Sequence, residues 1–270
     1  MCRLAAYFGK TPIIMADVLG KPEHSLIEQS RAARSGRFGI NADGFGMSWY
    51  NLDASDEPGI FRSTQPAWND SNLLHIANVI KSNCFLGHIR ASTVGDVNQN
   101  NCHPFSYQQY SFVHNGTIRN FNNIKRALIN RLDDELFLEI KGNTDSECLF
   151  FLIMQYLKSA EAKNMEDAVN LAFNWVVEEQ SKHGPEDFSR LNIVLSDGNH
   201  MIATRMVSEG KDPISLFYAE EDAKNGGQDI TIASEELYDM DDVWTEVPEN
   251  HYLLLSGKDP KIELKKFEGF

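Results

Sequence analysis

Met1-Cys2-Arg3-Leu4-Ala5-Ala6-Tyr7-Phe8-Gly9 opens the chain. Residues 3–8 form a short apolar run stopped by a glycine, which reads as a strand, with a cysteine directly before it. A small second residue permits removal of the initiator methionine, and removal leaves Cys2 with a free α-amino group. An α-amine titrates at about 7.7–8.0 and a thiol at about 8.5. The neutral amine can therefore act as a base near pH 7, and one residue then supplies both nucleophile and base. Taken alone, a cysteine at position two carries little weight, because ordinary cysteine usage puts one there by chance.

The other cysteines are Cys84, Cys102 and Cys148. None forms a C-x-x-C pair, and the spacing suits neither a zinc site nor a disulfide framework. Cys84 and Cys148 lie in apolar runs and read as small buried hydrophobes; a reducing, cytoplasmic compartment is the natural inference. The N-terminus lacks the basic, apolar and cleavage regions of a signal peptide. No stretch approaches the roughly 20 apolar residues of a membrane span. The net charge of −14 over 270 residues repels phosphate backbones and anionic lipid, so neither nucleic acid nor membrane is an expected partner.

Further apolar runs bounded by Gly, Asn, Asp and Pro predict strands at 44–50, 60–63, 84–89, 110–114, 191–195, 201–204, 215–219, 230–233 and 252–255. Helical periodicity appears at 25–34, 71–81, 123–131, 146–160 and 165–180. Strands come first, then helices, then strands again, which argues for α+β layers rather than a doubly wound parallel sheet. The polar stretches 51–58 and 209–229 look linker-like. The whole chain, 1–270, reads as one domain.

Three more segments carry chemistry-bearing residues. His88-Ile89-Arg90-Ala91-Ser92-Thr93 ends a predicted strand; an arginine there could grip a carboxylate bidentately or simply lie solvated. His114-Asn115-Gly116 follows residues 110–113. An Asn amide beside a Gly N–H can stabilise an oxyanion, yet Asn-Gly is also the commonest two-residue hairpin turn. Gly142-Asn143-Thr144-Asp145-Ser146-Glu147 leads into an apolar helix, where Asp145 either binds a substrate ammonium or caps the helix.

As an ordered set these pieces resemble the glutamine-binding domain of the class II, N-terminal-nucleophile glutamine amidotransferases. That pattern has an N-terminal Cys, H-x-R-x-x-T, N-x-H-P, V-H-N-G and T-D-S/T-E. The chain supplies Cys2, then His88, Arg90 and Thr93, then Asn101, His103 and Pro104, then Val113 to Gly116, and finally Thr144 to Glu147. Ile232-Ala233-Ser234-Glu235 is similar to the A-S-D/E strand near the end of that domain. The opening stretch, Gly87 to Thr93, and the closing Trp244, Val247 and Pro248 more closely resemble small stand-alone members. Those include the γ-glutamyl hydrolases of ergothioneine synthesis and glutathione breakdown.

The resemblance implies a four-layer αββα sandwich, two antiparallel sheets between helical layers. It also implies that Cys2 attacks the side-chain amide of glutamine or a γ-glutamyl amide. Asn115 and Gly116 would form the oxyanion hole, Arg90 would hold the α-carboxylate with support from Thr93, and Asp145 would hold the α-ammonium. No cofactor or metal is implied. The larger synthases carry a tryptophan after the binding arginine, where this chain has Ala91. The nucleotide fingerprints G-x-x-x-x-G-K-S/T and G-x-G-x-x-G do not occur. Alternatives to stand-alone hydrolysis are a glutaminase subunit that delivers ammonia to a partner synthase and, if Met1 is retained, a non-catalytic binding protein. An amide hydrolase for other acyl groups would leave Arg90 and Asp145 without a glutamyl head to grip.

Overall fold

The computed structural model describes residues 2–34, 40–92, 95–184, 187–208, 211–222, 228–239 and 243–268. The opening apolar run becomes β1 (Arg3–Ile14), whose register with its neighbour slips between Phe8 and Ile13. Its odd and even residues are both buried. Leu4, Ala6 and Phe8 enter one core, and Ala5 and Tyr7 enter another on the opposite face. A strand buried on both faces has no polar alternation, which is why its sequence reads as a continuous apolar run.

β1 lies in a seven-stranded antiparallel sheet with β2 (Phe45–Asn51), β3 (Ser55–Ser63), β4 (Lys81–Ile89), β9 (Phe217–Asp222), β10 (Gln228–Ala233) and β11 (Trp244–Glu246). The strand order is β11-β9-β10-β1-β4-β2-β3. A six-stranded antiparallel sheet holds β5 (Phe105–Tyr107), β6 (Tyr110–Ile118), β7 (Ser189–Ser196), β8 (His200–Arg205), β12 (His251–Ser256) and β13 (Ile262–Lys266), in the order β13-β12-β8-β7-β6-β5.

The apolar side chains sort into three layers. Leu4, Leu86, Val113, Val194, Ala203 and Leu253 fill the space between the sheets. On the outer face of the first sheet, α1 (Ala16–Leu19), α2 (Leu26–Arg31) and α3 (Ser71–Val79) pack against Tyr7, Phe45, Met47 and Phe85. On the outer face of the second, α4 (Asn122–Ile129), α5 (Asp134–Glu139), α6 (Asp145–Lys158) and α7 (Met165–Ser181) cover Phe112, Ile118, Leu191 and Ile193. The result is the expected αββα sandwich. In α6, Leu149, Phe150, Leu152 and Ile153 are fully buried, each stabilising by about 1.5–3 kcal/mol, so tertiary burial rather than propensity holds this helix.

Several local readings change in the structure. Stretch 51–58 is the β2–β3 hairpin rather than a linker, with Asn51 paired to Ser55. Asn115 and Gly116 are not a turn: both lie inside β6, in register with Asn192 and Leu191 of β7. The helix cap is Thr144, not Asp145, because Thr144 Oγ1 accepts the Glu147 N–H at 3.1 Å. Among the described residues no helix is long and apolar enough to cross a membrane.

Candidate active site

Cys2 sits at the mouth of β1 and is half-buried. Its Sγ accepts the Ala91 N–H at 3.3 Å and lies 3.4 Å from the Ala91 carbonyl, to which the thiol donates. Strand pairing explains the contact, since Arg3 is opposite Ile89 on β4 and the two chains continue side by side. Burial pushes the thiol up from its ordinary value. The Ala91 N–H and the Arg90 guanidinium act against that shift, while the Asp145 carboxylate reinforces it. The thiol therefore rests protonated at neutral pH, and attack requires a base. The charges of Arg90 and Asp145, the sequence-predicted cation and anion, are both felt at the Cys2 thiol.

Arg90 is buried. Its guanidinium donates to the carbonyls of Asp96 at 3.1 Å and Gly95 at 3.2 Å, and to Ser92 Oγ at 3.1 Å. The arginine is thus wrapped by its own following loop. Ser92 N–H is tied to Asp43 Oδ2 at 2.8 Å, which anchors the start of that loop. Thr93 lies outside the described residues.

Asp145 is buried in the first turn of α6. Its Oδ2 accepts the Ile118 N–H at 2.8 Å and its Oδ1 the Ser146 N–H at 2.9 Å. A carboxylate has about four acceptor sites, so lone pairs remain for a further donor. Glu147 reaches back to the N–H groups of Lys141 at 2.9 Å and Gly142 at 2.8 Å, which closes the loop before the helix.

Asn115 points between the sheets and is buried; its amide nitrogen lies 3.0 Å from Ser234 Oγ. Gly116 has a packing reason to be glycine: a Cβ there would run into the Arg190 carbonyl oxygen and His114 Nε2. The space that glycine opens is filled by the neighbouring strand rather than left for a ligand.

Three histidines surround these groups. His114 Nε2–H donates to the Arg190 carbonyl at 2.9 Å, which leaves Nδ1 to accept from Ser146 Oγ at 2.8 Å. His88 donates to the His114 carbonyl at 3.1 Å. His103 stacks on His88 with ring centroids 4.0 Å apart. Burial lowers all three, His88 to about 3, so they stand neutral and serve as packing and tethering groups. A surface group of Glu23, His24 and Asp239 has metal-ligand chemistry, but Arg34 already takes both oxygens of Asp239, at 2.7 and 2.9 Å.

Arg3 and Glu235, which are not among the sequence-predicted site residues, form an ion pair next to Cys2 in the structure. Arg3 Nη1 donates to the Cys2 carbonyl at 2.8 Å, while Nε and Nη2 hold Glu235 Oε1 at 2.9 and 2.7 Å. The available signal was a lone charge beside Cys2 in an otherwise apolar run, and an acid far along the chain to pair with it.

Comparison with known proteins bears on the family and the fold. The profile of the class II glutamine amidotransferases matches residues 21–253. A protein of Saccharomyces cerevisiae named probable glutamine amidotransferase DUG3 is 33% identical over 291 residues, covering 94% of this chain and 82% of its own. A γ-glutamyl-hercynylcysteine sulfoxide hydrolase of Mycolicibacterium smegmatis is 27% identical, covering 93% of this chain and 94% of its own. The solved structure of a glutamine aminotransferase class-II domain protein from Silicibacter pomeroyi superposes with a TM-score of 0.70 at 28% identity, over 98% of this chain and 99% of that one. A glutamine phosphoribosylpyrophosphate amidotransferase from B. subtilis shares the fold, with a TM-score of 0.66 at 15% identity over 100% of this chain and 50% of that one.

Proposed function

This chain belongs to the class II glutamine amidotransferases and is an enzyme of that class, and from that premise we propose that it cleaves a γ-glutamyl amide through a thioester on Cys2. One observation carries the reading: Cys2 Sγ is hydrogen-bonded to Ala91, the residue directly after the buried Arg90, while the buried Asp145 is bonded to the end of the strand that carries Asn115 and Gly116. A free α-amino acid head carries those two charges in complementary positions. On this reading Arg90 binds the α-carboxylate, exchanging some of its loop carbonyls for it, with Thr93 in support. Asp145 binds the α-ammonium through its remaining lone pairs.

The α-amine of Cys2, freed by loss of Met1, takes the thiol proton. The sulfur then attacks the amide carbon, and Asn115 Nδ2 with the Gly116 N–H receives the oxyanion. The protonated amine passes its proton to the leaving nitrogen as the C–N bond breaks. Water, deprotonated by the same amine, then cleaves the thioester to release glutamate. Residues 1–270 act as one glutaminase-type domain, a reading supported by the core that both sheets share. The unpaired state of Cys2, Cys84, Cys102 and Cys148 suits a reducing cytoplasmic compartment.

The substrate class is a γ-glutamyl peptide, amine or thiol conjugate rather than free glutamine. Ala91, small and next to Arg90, supports this because it leaves more room beyond the scissile bond than a tryptophan would. The hydrolase relative named above for a γ-glutamyl conjugate supports it as well. Comparing kcat/KM for glutamine with that for a panel of γ-glutamyl amines tests the point. Discriminating by tenfold requires about 1.4 kcal/mol, which a few buried apolar contacts supply. A clear preference for glutamine, or turnover only on addition of a second protein, favours the ammonia-delivering subunit. The yeast relative's name, an amidotransferase, keeps that second reading in view.

A further inference from the structure

The Ser234-Glu235 dipeptide touches both halves of the reaction centre. It follows β10, which pairs with β1 through Ala233 and Ala5. Ser234 N–H donates to the Leu4 carbonyl at 2.9 Å, and Leu4 N–H donates back to Ser234 Oγ at 3.0 Å. The same Oγ lies 3.0 Å from the Asn115 side-chain amide. One residue on, Glu235 grips Arg3, which in turn holds the carbonyl of Cys2. Glu235 Oε2 also accepts the Arg34 N–H at 3.1 Å. Arg3, Ser234, Glu235 and Asn115 are all buried, so these contacts are not shared with solvent.

Hydrogen-bond accounting decides what Ser234 does to Asn115. With Nδ2 facing Ser234, both lone pairs of Oγ are filled, by Leu4 N–H and by Nδ2. Asn115 Oδ1 then stays buried with no partner among the described residues. A buried acceptor left unmade carries its full desolvation penalty. Turning the amide by 180° costs no space, because its two ends are alike in shape. The Ser234 hydroxyl then donates to Oδ1 and Leu4 N–H still donates to Oγ, so the group left without a protein partner is the Nδ2 donor instead of the Oδ1 acceptor. In that orientation Nδ2 points away from Ser234, free to donate to a substrate oxygen.

We propose that Ser234 is a positioning residue that fixes the Asn115 amide with its NH₂ directed at the reacting carbonyl, while Glu235, through Arg3, holds the main chain of the nucleophile. The inference rests on the γ-glutamyl amidase reading above and deepens it, by naming what aligns donor and nucleophile with each other. Neither Ser234 nor Glu235 touches the substrate; both act through Asn115 and Arg3.

The test compares Ser234→Ala, Ser234→Thr and Ser234→Val in the full-length enzyme on its best γ-glutamyl amide. Thr and Val share a shape and differ only in the hydroxyl, so their comparison survives any packing defect at the site. The readouts are kcat, KM and the rate at which iodoacetamide alkylates Cys2, which needs neither Asn115 nor substrate. Ser234→Ala is expected to lower kcat roughly ten- to a hundredfold, a part of what deleting an oxyanion donor costs, with KM and alkylation within about twofold. Ser234→Thr is expected to exceed Ser234→Val in kcat by roughly tenfold or more. The double variant S234A/N115A should be no slower than N115A alone, since the serine works only through the amide. Wild-type kcat in Ser234→Ala, equal rates for Thr and Val, or losses that multiply with N115A would overturn the proposal while leaving the amidase reading intact. A parent enzyme inactive on every γ-glutamyl amide would overturn both.

Discussion

Asp145 Oδ2 accepts the Ile118 N–H at 2.8 Å, so the first turn of α6 is bolted to the last residue of the strand that carries Asn115 and Gly116. The bond fixes the anion relative to Asn115 and Gly116, the proposed oxyanion donors. Asp145→Asn removes the charge and keeps an acceptor for only one of the two N–H groups, Ile118 and Ser146, that the carboxylate oxygens hold. It is expected to raise KM roughly ten- to a hundredfold, the 1.5–3 kcal/mol or so of a charge-assisted hydrogen bond, with little change in kcat. Steady-state kinetics decide the matter, and an unchanged KM would remove the ammonium-binding role.

Arg90 is engaged by the Asp96 and Gly95 carbonyls and Ser92 Oγ. A carboxylate competes well with these neutral acceptors because it brings opposite charge and two oxygens. Arg90→Lys keeps the charge but loses the planar fork. We expect it to lose roughly tenfold or more in kcat/KM, mainly through KM. Full activity in Arg90→Lys would mean that the guanidinium serves its own loop and not the substrate.

Asn115 sits on a strand between two buried layers, where an amide costs more than an apolar side chain unless it has a task. Asn115→Ala is expected to lower kcat by roughly a hundred- to a thousandfold with little effect on KM. Were KM to carry the loss instead, the residue would be gripping the ground state.

The buried histidines make stability sensitive to mild acid. His88 is held down to about 3, and burial lowers His103 and His114 too, whereas unfolded rings titrate near 6.5. Below about 6.5 the unfolded chain binds more protons than the native one. The histidine contribution is therefore complete above that pH and is lost as pH falls towards each lowered value. The slope is about 1.4 kcal/mol per pH unit for each histidine. Glu147, whose carboxyl burial raises, works in the opposite sense but is one group against three. Urea denaturation at pH 7.5 and at pH 5 should show a clear drop at the lower pH; equal stability at both would contradict buried neutral rings.

Strands were legible where they were apolar, as at 3–8 within Arg3–Ile14 and at 191–195 within Ser189–Ser196. The sequence was silent where elements were short or polar. β5 and β11 have three residues each, too few for a period. β13 is a charged edge strand, Ile262-Glu263-Leu264-Lys265-Lys266, whose lysines and glutamate mask its pattern and guard its edge. Periodicity could not reveal that the sheets stack; only the ordered motif did. At the site, Cys2, Arg90 and Asp145 were legible as chemistry-bearing types. The Arg3–Glu235 pair was not, because its partners stand 232 positions apart and a buried ion pair leaves no local spacing to read.

The central claim is that Cys2, as the first residue of the mature chain, is the nucleophile. The most direct measurement treats the purified protein with a diazoketone analogue of glutamine and locates the adduct by intact mass and peptide mapping. One adduct per chain is expected, on a Cys2 whose α-amine is free because Met1 is gone, with turnover lost in step with labelling and absent in Cys2→Ala. An adduct on Cys84, Cys102 or Cys148, or full activity in protein that retains Met1, would contradict it.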